Sequence, residues 1–320
     1  MPSSTLDDLF EAYCRVSATN KAVLGHFMLV AQQFQHEGIE FLLLKGADVI
    51  SRLYGVRGSR PISDVDLLVH DADLPVIDQL LTSLGFIQQI DGNPSYASSE
   101  LGLSLDLVTT LWYLNEQDLA DVWSRAITRP FPPNTIACLA TEDLLIHLTA
   151  YAVIHRGQVS AAFSQDLRLL IEKESPNWSM IVTRAQQYGL MVPLYHGLTH
   201  VRTIFPSVAI PDDVLLQLAP MNWHERVLAR LLRKLVTTEP LPELGHLLLL
   251  LTQPCGKKRA WLARTLWPSH SFLSYRYGLA GRTMPWRTKL LRVCSLAVAA
   301  LTLSGRVLRR LATDPSRPAP

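Results

Sequence analysis

The sequence contains few cysteines, and they do not form a recognisable site. The four cysteines, Cys14, Cys138, Cys255 and Cys294, are widely separated, and no two of them form a C-x-x-C pair. This spacing argues against a structural zinc site and against a disulfide framework, and it fits a reducing compartment. We therefore expect a cytoplasmic protein.

Long apolar runs are also missing. The segment Leu290–Leu308 is apolar but is interrupted by Arg292 and Arg306. Its uninterrupted part, Val293–Leu303, is much shorter than the ~20 residues that span a bilayer. Its composition leaves two readings open, a helix lying in a membrane interface and a buried terminal helix. No basic segment followed by an apolar one opens the sequence, so we expect no secretory signal.

Acidic residues are almost absent from the last part of the chain. From Gly256 onward there are 13 lysines and arginines but one acid, Asp314, whereas residues 1–255 hold 17 basic and 27 acidic residues, a net charge of −10. Aromatic residues are interleaved with these basic residues, namely Trp261, Trp267, Tyr275, Tyr277 and Trp286. We predict that residues 256–310 form a basic helical surface for an anionic partner, foremost a membrane at its inner face or an acidic substrate. Packing against the acidic part of the chain is the alternative. We do not expect nucleic acid, because no motif for it is recognised.

The rest of the composition indicates a folded protein with more than one part. Apolar residues make up 48% of 320 residues, which allows a sizeable core. Residues 39–108 read as strand, helix, strand, helix and then three strands, and helical periodicity dominates after about residue 140. We therefore predict an α+β fold with a small mixed sheet. Its expected parts are a catalytic domain with N-terminal helices (1–138), a helical domain (139–255) and a basic helical extension (256–320).

Local patterns add narrower expectations. Helical spacing predicts two helices within residues 6–37 and a single helix over residues 212–236. Pro130, Pro132 and Pro133 are interpreted as the irregular approach to the domain boundary.

The segment that indicates chemistry is a strand with two aspartates at its head. Asp64 and Asp66 are two residues apart, so their side chains point to the same face of a strand. Asp106 lies within another apolar strand. If the two strands are neighbours, three carboxylates converge, and oxygen ligands of this kind suit Mg²⁺ or Mn²⁺. The alternative is structural, with Asp66 paired to a basic residue such as Arg60.

A second feature precedes these acids. Lys45-Gly46 follows a buried strand and begins a helix. A glycine there lets the backbone approach a phosphate at the helix N-terminus, and the lysine adds a positive charge for a triphosphate. We assign Arg60 and Ser63 to the same nucleotide-binding site. The alternative for Lys45 is a solvated side chain at a helix start.

These segments together resemble a known family. They are Leu43-Leu44-Lys45-Gly46, Leu53-Tyr54, Arg60-Pro61, Ser63-Asp64-Val65-Asp66-Leu67-Leu68-Val69, Leu84-Gly85-Phe86, Asp106, Glu142-Asp143-Leu144-Leu145-Ile146-His147-Leu148, His155, Asp166-Leu167 and Trp267-Pro268. The pattern spans roughly residues 35–280 and resembles the uncharacterised bacterial nucleotidyltransferase family of the DNA polymerase β superfamily. The resemblance implies a polymerase β-like core, a helical C-terminal half, and metal-dependent transfer of a nucleotidyl group from an NTP. Its members often accompany peptide natural-product or polysaccharide genes, so the expected acceptor is a peptide or protein, a small molecule or a saccharide intermediate.

The chain departs from the family pattern at three places. Ala47 stands where the superfamily usually has a second glycine or a serine that contacts phosphate. Val108 and Thr109 replace a histidine and a tryptophan after the third acid, and Tyr151 replaces another histidine. Two further functions stay open. One is a glycosyltransferase, because Asp-x-Asp at a strand end also holds the metal of a nucleotide-sugar, and the other is a degenerate nucleotide-binding or regulatory module, which Ala47 leaves possible.

Overall fold

A computed structural model of the protein describes residues 3–54, 58–91, 93–131, 134–252, 255–266 and 286–312. The chain forms two compact units, Met1–Leu144 and Leu145–Pro320. The division into three domains, 1–138, 139–255 and 256–320, stays a prediction.

The first unit is built on a seven-stranded mixed sheet with helices, and it confirms the predicted α+β class. Its helices are α1 (Ser3–His36), α2 (Lys45–Leu53), α3 (Leu74–Ser83) and α4 (Glu116–Ser124). Its strands are β1 (Phe41–Leu44), β2 (Val65–Val69), β3 (Ile87–Asp91), β4 (Asn93–Ser98), β5 (Leu103–Val108), β6 (Ile127–Phe131) and β7 (Asn134–Cys138).

The strand order brings the two acid-bearing strands together. The order is β3-β4-β5-β2-β1-β7-β6. Strand β2 pairs with β5 in parallel and with β1 in antiparallel fashion, and β1 pairs with β7 in parallel. The pairs β3–β4, β4–β5 and β6–β7 are antiparallel. Both β1 and β2 are buried along their whole length, which explains why their sequences are nearly continuous apolar runs and do not alternate between apolar and polar residues.

The C-terminal half of α1 covers one face of this sheet. Phe27 and Phe34 are completely buried, and Phe27 meets Phe41 and Phe131 edge to face at 6.2 and 6.1 Å between ring centres. The N-terminal half of the helix is exposed at Leu6 and elsewhere. The prediction of two helices in residues 6–37 was wrong, because no proline interrupts this segment and Gly25 is accommodated inside one continuous helix.

The interpretation of the proline-rich segment near residue 130 as an irregular approach to the domain boundary was also wrong for Pro130. Pro130 lies within β6, which pairs with β7 across the segment that holds Pro132 and Pro133. The two strands form the hairpin at one edge of the sheet, and a proline is tolerated in an edge strand because its missing N–H need not face a neighbour. This segment therefore completes the sheet rather than leading out of it.

The second unit is helical. Helix α5 (Thr141–Ala150) spans the division between the units, and a π-helical turn, Tyr151–Arg156, follows it. The further helices are α6 (Ala161–Glu174), α7 (Trp178–Gln187), α8 (Met191–Ile204), α9 (Asp212–Leu218), α10 (Trp223–Leu235), α11 (Leu244–Thr252), α12 (Cys255–Leu266) and α13 (Trp286–Ala312).

The single helix predicted over residues 212–236 is in fact two. Helix α9 ends at Leu218, the next two residues are Ala219 and Pro220, and α10 begins at Trp223. Pro220 cannot donate the backbone hydrogen bond that a helix interior requires, and its ring clashes with the preceding turn. Asn222 then caps α10 by accepting a hydrogen bond from the Glu225 N–H, which fixes the new start.

Among the described helices, none combines the length and the apolar content that a membrane crossing requires. Of the aromatic residues predicted to decorate the basic surface, Trp267, Tyr275 and Tyr277 lie outside the described residues, as do the side chains of Trp261 and Trp286.

Candidate active site

The three aspartates meet at the junction of β2 and β5. The parallel register places Asp66 directly opposite Asp106, and Asp64 lies two residues before Asp66, on the same face. One carboxylate oxygen from each residue lies within 4.8 Å of those of the other two. Along β5 the buried residues alternate with half-buried ones, and Asp106 belongs to the half-buried set that faces outward. The structure thus brings together the three acids that the sequence predicted to converge.

This arrangement raises the proton affinity of Asp66 and Asp106. Burial raises the pKa of Asp66 to about 6, and the negative charges of Asp64 and Asp106 add to the effect, while the Lys45 ammonium opposes it. Burial, followed by the charge of Asp64, also raises the pKa of Asp106. The charge of Asp64 therefore makes ionisation of both Asp66 and Asp106 more costly, a situation that a bound cation relieves.

Lys45 supplies the positive charge nearest to Asp66. Its Nζ lies 2.5 Å from Asp66 Oδ1, and both side chains are largely buried. Lys45 is the first residue of α2 and has a φ of +45°, in the left-handed region that residues with a side chain seldom adopt. The structural alternative from the sequence, a pair of Asp66 with a basic residue such as Arg60, therefore describes the metal-free contact, with Lys45 as the basic residue.

Gly46 lies in the first turn of α2, as the sequence predicted. The residue that precedes the helix, Leu44, makes no side-chain hydrogen bond to the backbone N–H groups of the first turn. A methyl group added at Gly46 would come within 3.4 Å of Arg60 Nη1, which places the Arg60 guanidinium beside the helix start. The N-terminal amides of α2 and two basic side chains thus border the aspartates.

Asn20 was missed by the sequence analysis, although it shapes this site. It is a completely buried residue of α1. Its Nδ2 donates to the Arg60 carbonyl oxygen at 2.7 Å, and its Oδ1 accepts from the Ile62 N–H at 3.1 Å. One amide side chain therefore fixes the backbone that carries Arg60 and leads to the first aspartate. Ser63, in the same segment, donates its hydroxyl to Asp64 Oδ1 at 2.8 Å.

Ala47, the main departure from the family pattern, lies in the core. Its side chain is completely buried among apolar residues. A hydroxyl here would be buried as well, so its absence does not remove a group from the surface where Lys45, Gly46 and Arg60 meet.

The donor set fits a hard divalent cation. All three side chains offer oxygen, they are close enough to share an ion, and their mutual repulsion favours one. Mg²⁺ and Mn²⁺ prefer such carboxylate ligands.

A second buried aspartate lies close by in sequence but has different neighbours. Asp48 of α2 is completely buried, and its Oδ2 lies 3.5 Å from Nη1 of Arg52, one turn further on. Burial raises the pKa of Asp48 to about 6, against the opposing charges of Arg52 and Arg129 and a hydrogen bond from the Cys138 thiol. Arg52 also donates to the Leu139 carbonyl oxygen at 3.0 Å and to the Thr141 hydroxyl at 2.7 Å.

Comparison with known proteins gives one family match. Residues 1–206 match a family described as uncharacterised nucleotidyltransferase, so the match begins and ends earlier than the resemblance over residues 35–280 suggested. A search of curated proteins finds no match. Among solved structures, the antibiotic-resistance factor ANT(2'')-Ia is 17% identical with a TM-score of 0.41, over 57% of this chain and 98% of that chain. An antigenic nucleotidyltransferase-like protein from Paracoccidioides brasiliensis is 16% identical with a TM-score of 0.38, over 65% and 93%. The family match covers the whole first unit and part of the second.

Proposed function

Because the chain belongs to the uncharacterised nucleotidyltransferase family and is a transferase of that type, we propose that it moves a nucleotidyl group from an NTP to an acceptor in a metal-dependent reaction at the three-aspartate site. The observation that carries this proposal is the convergence of Asp64, Asp66 and Asp106 next to the N-terminus of α2. An acid cluster beside a phosphate-binding helix end is the combination that phosphoryl chemistry requires.

Each residue has a distinct task in the proposed reaction. Asp64, Asp66 and Asp106 hold Mg²⁺ or Mn²⁺, which when bound activates the attacking group and neutralises the developing charge. The amide at Gly46 and the side chains of Lys45, Arg60 and Ser63 bind the nucleotide and its phosphates. A hydroxyl or amine of the acceptor bonds to the α-phosphorus and loses its proton. The bond from the α-phosphorus to the bridging oxygen breaks, and pyrophosphate leaves.

The two other functions left open by the sequence have less support. A glycosyltransferase would require a different fold before the Asp-x-Asp segment, and the family match assigns this segment to nucleotidyltransferases. The hypothesis of a degenerate binding module rested on Ala47, which lacks a phosphate-contacting hydroxyl. Because Ala47 is buried, that absence gives no reason to regard the site as impaired. The acceptor we propose is a peptide or protein, a small molecule or a saccharide intermediate, in a natural-product or polysaccharide pathway.

The test is transfer of label from each of four α-labelled NTPs in the presence of Mg²⁺ or Mn²⁺, with the products of neighbouring genes as acceptors. Mass spectrometry of the acceptor should show the addition of one nucleoside monophosphate, and removal of the cation with a chelator should abolish it. Asp71→Asn is the matched control for Asp66→Asn and should transfer label as the wild type does, because Asp71 is exposed and follows the same strand. Transfer that continues in the chelator would contradict the proposed mechanism.

We also propose that α13 attaches the protein to the surface of an anionic membrane at its cytoplasmic, inner face. Its large apolar residues Leu290, Leu301 and Leu308 are 53%, 74% and 66% exposed. At 100° per residue they lie within about 20° of one another around the helix axis, so they form a single outward stripe. Val293 and Val298 border this stripe and are exposed as well.

Some of the basic residues in or next to α13 donate hydrogen bonds to backbone carbonyl oxygens. Arg310 donates to the Leu235 carbonyl oxygen at 3.1 Å, Arg292 donates to that of Thr265 at 3.1 Å, and Lys234 donates to that of Leu311 at 2.8 Å. These contacts lie inside the second unit and use part of the basic charge there, and they do not test the alternative of packing on the acidic catalytic half. The proposed attachment therefore depends on the apolar stripe first, with Arg309, which lies at the flank of the stripe, assisting at an anionic surface.

Co-sedimentation with vesicles tests this attachment without deleting a packed helix. The protein should bind vesicles that contain anionic lipid more strongly than neutral ones, and Leu301→Asp should abolish binding. Leu216→Asp, at an equally exposed leucine of α9, is the control that should bind normally. Equal sedimentation of Leu301→Asp and the wild-type protein would overturn the proposal.

A further inference from the structure

Lys45 lies where its ammonium offsets part of the negative charge of the three aspartates without a metal. Its ammonium contacts Asp66 at 2.5 Å, and Asp64 and Asp106 have oxygen atoms within 4.8 Å of Asp66. One lysine thus faces a group of up to three negative charges. A divalent cation held by the same oxygens would bring two more positive charges close to the ammonium, and like charges at such distances repel strongly in a partly buried site.

The geometry of Lys45 also suits movement. Its contact with Asp66 joins one ammonium to one carboxylate oxygen at the end of a flexible four-carbon chain. The main chain at Lys45 is in the left-handed region, a conformation that costs energy for a residue with a side chain and is found preferentially at functional sites. The Arg60 guanidinium lies beside Gly46, so a phosphate at the start of α2 would have a second positive side chain close to it.

We propose that Lys45 is an exchangeable counter-ion, which occupies Asp66 in the metal-free protein and leaves it for the triphosphate when a divalent cation binds. This inference rests on the proposed function. It implies that Lys45 weakens metal binding when no nucleotide is present. It also implies that nucleotide strengthens metal binding, because the phosphates offer the displaced ammonium a new partner.

The first experiment measures Mn²⁺ binding alone, by calorimetry and by electron paramagnetic resonance of the free ion, at about pH 8, where carboxylates are ionised. Lys45→Met should bind Mn²⁺ about tenfold more tightly than the wild-type protein, the scale expected when a partly buried competitor is removed. Lys45→Arg, which keeps the charge, should not. Lys21→Met, at an exposed lysine of α1, should bind as the wild type does. Unchanged or weaker binding by Lys45→Met would overturn the inference.

The second experiment uses only the wild-type protein, so it does not depend on the folding of a variant. Reductive methylation read by mass spectrometry reports the accessibility of each lysine amine. Lys45 should react slowly without metal, faster with Mn²⁺, and slowly again when inorganic tripolyphosphate is added. A reaction rate that Mn²⁺ leaves unchanged would overturn the exchange. If Mn²⁺ binds neither the wild type nor Lys45→Met, the metal site itself is wrong, and the proposed function fails before this inference does.

Discussion

Asp48 and Asp66 are both buried, and burial raises the pKa of each to about 6, yet their partners differ in kind. Asp48 faces Arg52, a buried arginine that is anchored by two further hydrogen bonds. Asp66 faces Lys45, a flexible side chain, and two more carboxylates. A buried partner that is held by further hydrogen bonds makes an aspartate part of the framework. A single movable partner beside other acids leaves an aspartate available for chemistry.

The largest expected difference between the two aspartates is in catalysis. Asp66→Asn should lower nucleotidyl transfer by about a thousandfold or more, because it removes a metal ligand while keeping the shape of the side chain. Asp48→Asn should keep activity within about tenfold of the wild type, because Asp48 interacts with Arg52, Arg129 and Cys138, none of which belongs to the proposed site. Initial rates at saturating metal, with circular dichroism as a check on folding, measure both. If the two variants lose activity equally, the distinction between them is wrong.

The next difference is in stability and concerns the basic partners. Arg52→Met should lower the free energy of unfolding by about 3 kcal/mol, since it leaves a buried carboxylate, a carbonyl and a hydroxyl without their donor. Lys45→Met should lower it by about 1 kcal/mol or less, because the Lys45–Asp66 pair is less buried than the Arg52–Asp48 pair. Urea unfolding of the two variants is the measurement. A larger loss for Lys45→Met would reverse the comparison.

A separate prediction concerns nucleotide binding. Lys45→Ala should weaken the affinity for the NTP by about tenfold, because a positive charge near the phosphates is lost. Calorimetry in the presence of metal measures this affinity, and Lys21→Ala provides the control at an exposed lysine. An unchanged affinity for Lys45→Ala would leave Lys45 as a counter-ion of Asp66 with no part in nucleotide binding.

A pH dependence of stability isolates Asp48. Its pKa in the folded state, about 6, lies above the ordinary value of 3.8, so the folded protein binds more protons than the unfolded chain between these values. Stability from this group therefore increases as the pH falls from about 7 towards 4 and is lost as the pH rises through 6. The wild type should gain roughly 2 kcal/mol relative to Asp48→Asn over this range. A difference that stays constant with pH would show that Asp48 is not held in a costly charged state.

Some of this structure was readable from the sequence because it depends on local periodicity. The two-residue spacing of Asp64 and Asp66 fixes a common face, and an acid inside the apolar strand β5 requires a polar neighbour. The strand that ends at Leu44 and the glycine after Lys45 similarly predict the start of α2.

The remainder depends on contacts that are distant in sequence. Asn20 acts on residues forty positions away, and nothing in its local sequence distinguishes it from a surface asparagine. The hairpin of β6 and β7 was hidden by its prolines, which edge strands tolerate. Asp48 and Arg52 could have been noted as an i, i+4 pair, but their burial follows from the sheet edge that this hairpin builds.

The most direct test of the account is anomalous diffraction from crystals soaked with Mn²⁺ and a non-hydrolysable NTP. The account predicts anomalous peaks bound by Asp64, Asp66 and Asp106, with triphosphate oxygens on the same ions, with the phosphates at the N-terminus of α2, and with Lys45 turned from Asp66 towards them. An absence of manganese at these three aspartates when both ligands are saturating would contradict it.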